Sequence, residues 1–385
     1  LKTKVQNLSG GERTKLGLFM TLVSEPDLIL LDEPTNHLDL GSIAKLTALF
    51  RAYNEAGISI ISASHVGWFL EEAGKDGVIE IEWNKKIGRK VVDSKSPYVK
   101  YVKNTARERA PVIEGEIEWF QKDYEYKKGV TVVEVQLQTF SIPNSPLKNV
   151  SMPSVTGGEL VIISGNNGTG KTKLFERIVN PDTEKEGPRR GERVRIAYLP
   201  QFWPEDIAQG TVEDFFEWIR ESATSKNDEG SSLRQETPAR KWFMKIINSL
   251  EFGGASRVGE GWMNRPLRTL SGGEQRLLWF VAVSSLRNVD VLVLDEPTNH
   301  MDKTLQEKVA QAIRKFPGTV LLSTHDRNLF AALSKKMTEG GKNPKHLILS
   351  KTEGRTTITE SKEPPIDYVN RTMTEAREDA KKFRI

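Results

Sequence analysis

The sequence predicts an α/β fold, with parallel or mixed sheets flanked by helices, carried in two copies. Three observations predict it. The runs Leu28-Ile29-Leu30-Leu31, Leu160-Val161-Ile162-Ile163 and Val291-Leu292-Val293-Leu294 are continuously apolar, as strands covered on both faces are. A glycine-rich turn at 165–172 joins the second run to a helical pattern, Lys173 to Ile178. The motifs of residues 8–65 recur in the same order in residues 270–325.

Composition narrows the class. At 385 residues the chain has room for two or three cores. Its 56 basic and 52 acidic residues leave a net charge of +4, so any surface suited to nucleic acid must be local. The absence of cysteine excludes disulfides, zinc ribbons and iron–sulfur clusters. No apolar run approaches the ~20 residues of a membrane span, and no signal-peptide pattern appears. These features predict a cytoplasmic protein without stable membrane insertion. Because the chain opens at Leu1 already close to a motif, the N-terminal part of the first copy is expected to be missing.

In order, Leu8-Ser9-Gly10-Gly11-Glu12 precedes a helical pattern from Arg13 to Val23. Ser9, Gly10 and Gly11 offer a hydroxyl and helix-start amides suited to a phosphate. Equally, Ser9 with Glu12 fits a capping box. The first apolar strand ends in Asp32, suited to Mg²⁺, and Glu33, suited to activating water. Pro34-Thr35-Asn36-His37-Leu38-Asp39 turns the chain away. A strand from Ile58 to Ser62 leads to His65, whose imidazole either senses a γ-phosphate or is structural.

Gly165-Asn166-Asn167-Gly168-Thr169-Gly170-Lys171-Thr172 has the spacing of a phosphate-binding loop. The glycines allow a tight curl in which successive N–H groups and the helix N-terminus face one anion. Lys171 would reach the outer phosphates and the Thr172 hydroxyl would ligate Mg²⁺. Leu270-Ser271-Gly272-Gly273-Glu274, the strand ending in Asp295-Glu296, Pro297-Thr298-Asn299-His300-Met301-Asp302 and His325 then repeat the first set. Leu8 lies 24 positions before Asp32, and Leu270 lies 25 before Asp295. Tyr101-Val102 with Ala106-Arg107-Glu108 is echoed by Tyr368-Val369 with Ala376-Arg377-Glu378.

This set resembles a tandem ATP-binding cassette ATPase. The doubled Glu-Pro-Thr-Asn-His wording is similar to the F subfamily, soluble twin-cassette proteins of which many act on ribosomes. The resemblance implies two P-loop domains with helical subdomains and a helical linker. The expected boundaries are 1–94 for the first cassette's C-terminal part, 95–129 for the linker, 130–362 for the second cassette and 363–385 for a helical tail. It implies ATP and Mg²⁺ as ligands, and 165–172 as the Walker A loop. Gln201 falls in the Q-loop, which contacts metal and water; Asp295 is Walker B, Glu296 the catalytic base and His325 the switch histidine. Asp32, Glu33 and His65 take those roles in the first cassette. Family cassettes pair head-to-tail within one chain, so Ser9, Gly10 and Gly11 would cap the nucleotide on 165–172. Ser271, Gly272 and Gly273 would serve the other site. The implied partner is the ribosome, its ribosomal or transfer RNA; the alternative is the energising subunit of a transporter.

Three departures stand out. Val66 follows the first histidine where the second copy has Asp326. The adenine-stacking position falls on Phe140 or Ile142. The linker is interrupted by Pro111 and Gly115, and 97–110 as a helix reaches only ~21 Å. Its aromatics, among them Tyr98, Trp119, Phe120 and Tyr124, interleave with lysines and arginines. They either stack on RNA or pack on a cassette, and Glu114, Glu116 and Glu118 favour packing. Beyond Gln201, helices are expected from Thr211, as N-cap, to Arg220, from Ala239 to Leu250 and in the tail from Tyr368.

Overall fold

The computed structural model describes residues 10–24, 26–36, 38–64, 66–84, 88–100, 116–120, 129–134, 139–143, 145–180, 188–191, 194–201, 203, 207–222, 237–250, 260–286, 288–301, 303–334, 344–352 and 355–380. The chain divides into two compact units, Leu1–Val112 with Asn370–Ile385, and Ile113–Val369.

The first unit contains α1 (Gly10–Val23), β1 (Leu28–Asp32), α2 (Leu40–Glu55), β2 (Ser59–Ala63), α3 (Gly67–Ala73) and the hairpin β3 (Val78–Asn84) and β4 (Gly88–Ser94). β1 and β2 pair in parallel, Leu28 opposite Ser59 through Asp32 opposite Ala63. Asp39 caps α2, its carboxylate accepting the Ser42 N–H at 2.8 Å, which is why the helix starts directly after the turn. The helix buries Leu40, Ile43, Ala44, Leu46 and Phe50, and the Phe50 ring meets Phe69 of α3 edge-on at 5.9 Å.

The second unit is built on a six-stranded mixed sheet. Its strands are β7 (Leu160–Ser164), β9 (Ile196–Leu199), β10 (Val291–Asp295), β11 (Thr319–Ser323), β12 (Lys345–Thr352) and β13 (Arg355–Ser361), in the order β13-β12-β7-β11-β10-β9. Only β12–β13 is antiparallel; the remaining pairs are parallel, so the ends of β7, β10 and β11 lie side by side. β5 (Thr131–Glu134), β6 (Val155–Thr156) and β8 (Arg189–Arg190) form a small antiparallel sheet. Helices α4 (Lys171–Val179), α5 (Val212–Ser222), α6 (Thr237–Ser249), α7 (Gly272–Ser284), α8 (Lys303–Lys315) and α9 (Arg327–Ser334) complete it, and α10 (Pro365–Ala380) follows β13. β10 and β11 are buried along their whole length, and one core joins Val291, Val293 and Leu321 to Val161, Ile163, Leu174, Phe175 and Ile196. α7 is buried from Arg276 to Ser284, so it lacks a polar face and sits inside the unit.

The first unit differs at the equivalent positions. Leu28 and Leu30 are 47% and 67% exposed, where their repeat partners Val291 and Val293 are fully buried. Among the described residues, no strand pairs with the outer edges of β1 and β2 as β9 and β7 do with β10 and β11.

Thr211 caps α5 reciprocally with Asp214: the Thr211 N–H donates to the Asp214 carboxylate at 2.7 Å and the Asp214 N–H donates to Thr211 Oγ1 at 3.2 Å. Of the linker aromatics, Tyr101, Tyr124 and Tyr126 lie outside the described residues, as does the span 101–115. Trp119 and Phe120 pack within the second unit. Trp119 donates its indole N–H to the Ala312 carbonyl at 2.7 Å, and its ring meets Phe280 and Phe316 at 5.7 and 4.7 Å. Phe120 meets Trp242 at 5.2 Å, and its N–H donates to the Ser284 carbonyl. Truncating Trp119 to Ala opens a cavity among these rings and orphans a buried carbonyl. Urea unfolding should show a loss of about 3 kcal/mol, with Trp119→Phe losing less; an unchanged midpoint for the alanine variant contradicts this packing role.

Candidate functional site

The site is assembled where β7, β10 and β11 end together. β7 runs into the phosphate loop, and α4 begins at Lys171 with Gly170 as its N-cap in a left-handed conformation (φ 99°) and without a side-chain cap. The helix start therefore points backbone amides into the loop. A Cβ on Gly170 would lie 2.9 Å from Leu147, and one on Gly165 would lie 2.4 Å from the Leu349 carbonyl oxygen, so neither position accepts a side chain. The Lys171 ammonium donates to the Gly165 carbonyl at 2.6 Å and the Asn166 carbonyl at 3.2 Å, and Thr169 Oγ1 donates to the Asn166 carbonyl at 2.8 Å. Asn167 and Gly168 form the turn between these anchors.

Thr172, the second residue of α4, reaches β10: its hydroxyl donates to Asp295 Oδ2 at 2.6 Å. Asp295 is buried, and burial raises its pKa against the opposing pull of Thr172 and Lys171. Glu296 takes a left-handed backbone (φ 52°), its N–H donating to the Ser323 carbonyl at the end of β11. Its carboxylate accepts the His325 N–H at 3.1 Å, and the His325 Nε2 stands 3.6 Å from the other carboxylate oxygen. Burial pushes the Glu296 pKa up to about 8, although Lys171 pulls it down. Gln201 lies two residues past the Leu199–Leu294 pairing of β9 with β10, in the turn beside Asp295 and Glu296.

The same backbone geometry recurs in the first unit. Glu33 is left-handed (φ 45°), its N–H donates to the Ala63 carbonyl, and its carbonyl accepts the Asn36 N–H, as that of Glu296 accepts Asn299. Asp32 is exposed at the end of β1. Ser9 and His65 lie outside the described residues, and Gly10 and Gly11 open α1. The change from Asp326 to Val66 has a local consequence. Asp326 accepts the Thr298 hydroxyl at 2.8 Å and also caps α9 through the Asn328 N–H. Valine offers neither bond, and Thr35 instead lies 3.4 Å from the Ser64 hydroxyl.

Ser271 caps α7 in a capping box with Glu274, so the structural alternative raised for Ser9 and Glu12 is realised in the second copy. Ser271 Oγ accepts the Glu274 N–H, which leaves its proton for another acceptor. Gly272 and Gly273 admit the turn at His300: Cβ atoms there would lie 3.1 Å from the His300 ring and 2.5 Å from its carbonyl oxygen. Phe140 departs from expectation. It is 1% exposed and pairs with Val150 inside the core, which leaves no ring face for a base.

Sequence reasoning missed Arg276. Its guanidinium is buried and donates to the carbonyls of Pro200, Asp295 and Glu296, tying α7 to the turn before Gln201 and to the end of β10. Burial lowers its pKa to about 10, so it stays charged near neutral pH. The signal was a lone arginine in front of the apolar run Leu277 to Val283. The Trp203 ring packs at a tilt against Trp279, one turn further along α7, with centroids 4.7 Å apart.

The titration of Glu296 has a signed consequence. Between its ordinary 4.5 and about 8 the unfolded chain releases this proton while the folded chain retains it, so stability falls as pH rises through that window. Thermal melts should show Glu296→Gln gaining on the parent from about pH 5 to pH 8 and levelling off above. A difference independent of pH contradicts the raised pKa.

A family model described as ABC transporter matches residues 1–36 and 147–299. The ATP-binding protein YdiF of Bacillus subtilis is 28% identical over 88% of this chain and 56% of its own length. The energy-dependent translational throttle protein EttA of Haemophilus influenzae is 29% identical over 84% of this chain and 62% of its own. Protein GCN20 of Saccharomyces cerevisiae is 26% identical over 86% and 47%. The chain thus spans about half to three-fifths of the length of these relatives. Among solved structures, a model of ribosome-bound archaeal Pelota and ABCE1 aligns over 98% of this chain and 59% of the other, with TM-score 0.67 and 18% identity, which shows a common fold.

Proposed function

We infer the function from one premise, that the chain belongs to the ATP-binding cassette ATPases and is similar to twin-cassette proteins of the F subfamily. We propose that residues 165–172 bind the phosphates of ATP and that the second unit hydrolyses the terminal one. The observation that carries this reading is the contact of Thr172 with Asp295 beside a buried Glu296 that also engages His325.

The donor set fits Mg²⁺. A hydroxyl and a carboxylate, both oxygen ligands, stand together at the loop, and Mg²⁺ in such sites takes one or two protein oxygens with the remainder from phosphate and water. Thr172 and Asp295 would hold the ion, which supplies positive charge against the phosphate oxygens.

This chain's own residues perform the rest. Loop amides and the start of α4 receive the phosphates, and Lys171, now resting on the Gly165 and Asn166 carbonyls, turns to the outer phosphate oxygens. Glu296 orients the attacking water and accepts its proton once ionised. His325 holds Glu296 through its backbone N–H and presents its ring to the terminal phosphate. Gln201, in the bend after β9, would face the ion and the attacking water. Arg276 keeps these two carboxylate-bearing positions and the Gln201 turn in register.

For the whole protein we propose a role on the ribosome, through ribosomal or transfer RNA. The similarity to the translational throttle proteins supports this, as do the doubled Glu-Pro-Thr-Asn-His motifs. No helix among the described residues is long and apolar enough to cross a membrane. Glu296→Gln should retain ATP binding while hydrolysis falls about 100-fold or more. Hydrolysis at the parental rate removes Glu296 from the reaction. The same variant with ATP should co-sediment with ribosomes and be released by high salt; absence from the ribosomal pellet contradicts the proposed partner.

A further inference from the structure

Three residues behind the phosphate loop converge on it without belonging to any motif. His346, 2% exposed in β12, places its Nε2 2.8 Å from the hydroxyl of Ser164, the last residue of β7. Three residues further along β12, the Leu349 carbonyl oxygen presses on Gly165 so closely that a Cβ there would sit 2.4 Å away. From β13, Thr356, 1% exposed, donates its hydroxyl to the Thr169 carbonyl at 3.1 Å, and its N–H donates to the Pro146 carbonyl at 3.3 Å. One hairpin therefore grips the loop at its entry, its first glycine and its far limb.

We propose that the β12–β13 hairpin aims the phosphate loop, with Thr356 and His346 as positioning residues for nucleotide binding. This rests on the reading of 165–172 as the nucleotide site. A peptide group is planar, so fixing its carbonyl oxygen also fixes the direction of its N–H. The carbonyl held by Thr356 shares its plane with the N–H of Gly170, the residue that starts α4 and faces the anion. Holding that oxygen outward turns the amide inward before ligand arrives. At the loop's other end, Lys171 anchors the Gly165 and Asn166 carbonyls. His346 holds Ser164, the residue immediately before Gly165.

The imidazole suits this task because burial drives its pKa down to about 4, which keeps it neutral at physiological pH. Its ring also packs edge-on against Tyr368 of α10 at 5.1 Å. The repeat supplies a comparison. His346 pairs with Ser361 across the second hairpin, as Val78 pairs with Ser94 across the first. Valine therefore stands in the first unit where the histidine stands behind the phosphate loop. By the same register Thr356 corresponds to Arg89.

The test measures binding of a fluorescent ATP analogue with Mg²⁺ to the full chain and to Thr356→Val, Thr356→Ser, His346→Val and His346→Gln. The valine variants should bind about fivefold more weakly, the loss of one aimed hydrogen bond. The serine and glutamine variants, which keep a polar partner, should recover most of the affinity. Hydrogen exchange at 166–171 should speed up in the valine variants. Because Thr356→Val is nearly isosteric, it decides the matter if His346→Val does not fold. Parental affinity and loop exchange in Thr356→Val overturn the proposal. Failure of the parental chain to bind the analogue at all would instead remove the nucleotide site.

Discussion

The hydrogen bond from the Thr172 hydroxyl to the Asp295 carboxylate is the contact on which the rest of the second unit's site depends. It joins the helix that starts on the phosphate loop to the end of β10. It also puts the two protein oxygens suited to Mg²⁺ side by side. A carboxylate this buried is costly unless it accepts a hydrogen bond, and the Thr172 hydroxyl provides one. Parallel pairing of β7, β11 and β10 makes the contact geometrically available, since it brings all three strand ends to one edge of the sheet. Glu296 then follows Asp295 with a left-handed backbone held by the Ser323 carbonyl, a strained conformation that the adjoining strand imposes.

The repeat shows which parts of this geometry are intrinsic to the motif. Glu33 adopts the same left-handed backbone and the same bonds to the neighbouring strand, although β1 and β2 are exposed at alternate positions where β10 and β11 are buried throughout. The strand-to-turn conformation therefore comes from the Asp-Glu-Pro-Thr-Asn sequence and one parallel neighbour. The burial of Asp295 and Glu296 accompanies the flanking strands β9 and β11. The substitution of Val66 for Asp326 removes a bond between two loops, so the two copies differ in how firmly the residue after the histidine is held.

Much of this was legible in the sequence because the signals were local. Continuous apolar runs marked the buried strands, the glycine spacing marked the phosphate loop, and the duplication fixed their order. What was not legible depends on contacts distant in the chain. Arg276 finds carbonyls about 20 and 76 positions away, and Thr356 reaches a carbonyl 187 positions away. Phe140 was chosen for its aromatic ring upstream of the loop. Its pairing with Val150 turns that ring into the core, an outcome its own neighbourhood does not encode. The glycines after Ser271 read as phosphate ligands, and the structure adds a second constraint, the close approach of the His300 turn.

The proposed Mg²⁺ site rests on Thr172 and Asp295 standing side by side at the phosphate loop. Equilibrium binding of an ATP analogue to the parent and to Asp295→Asn, each with Mg²⁺ and with chelator, tests it most directly. Asparagine keeps the shape and an acceptor for Thr172 but lacks the charge. Mg²⁺ should tighten binding to the parent and have little effect on the variant, with chelated affinities alike. An equal response to Mg²⁺ in both proteins would contradict it.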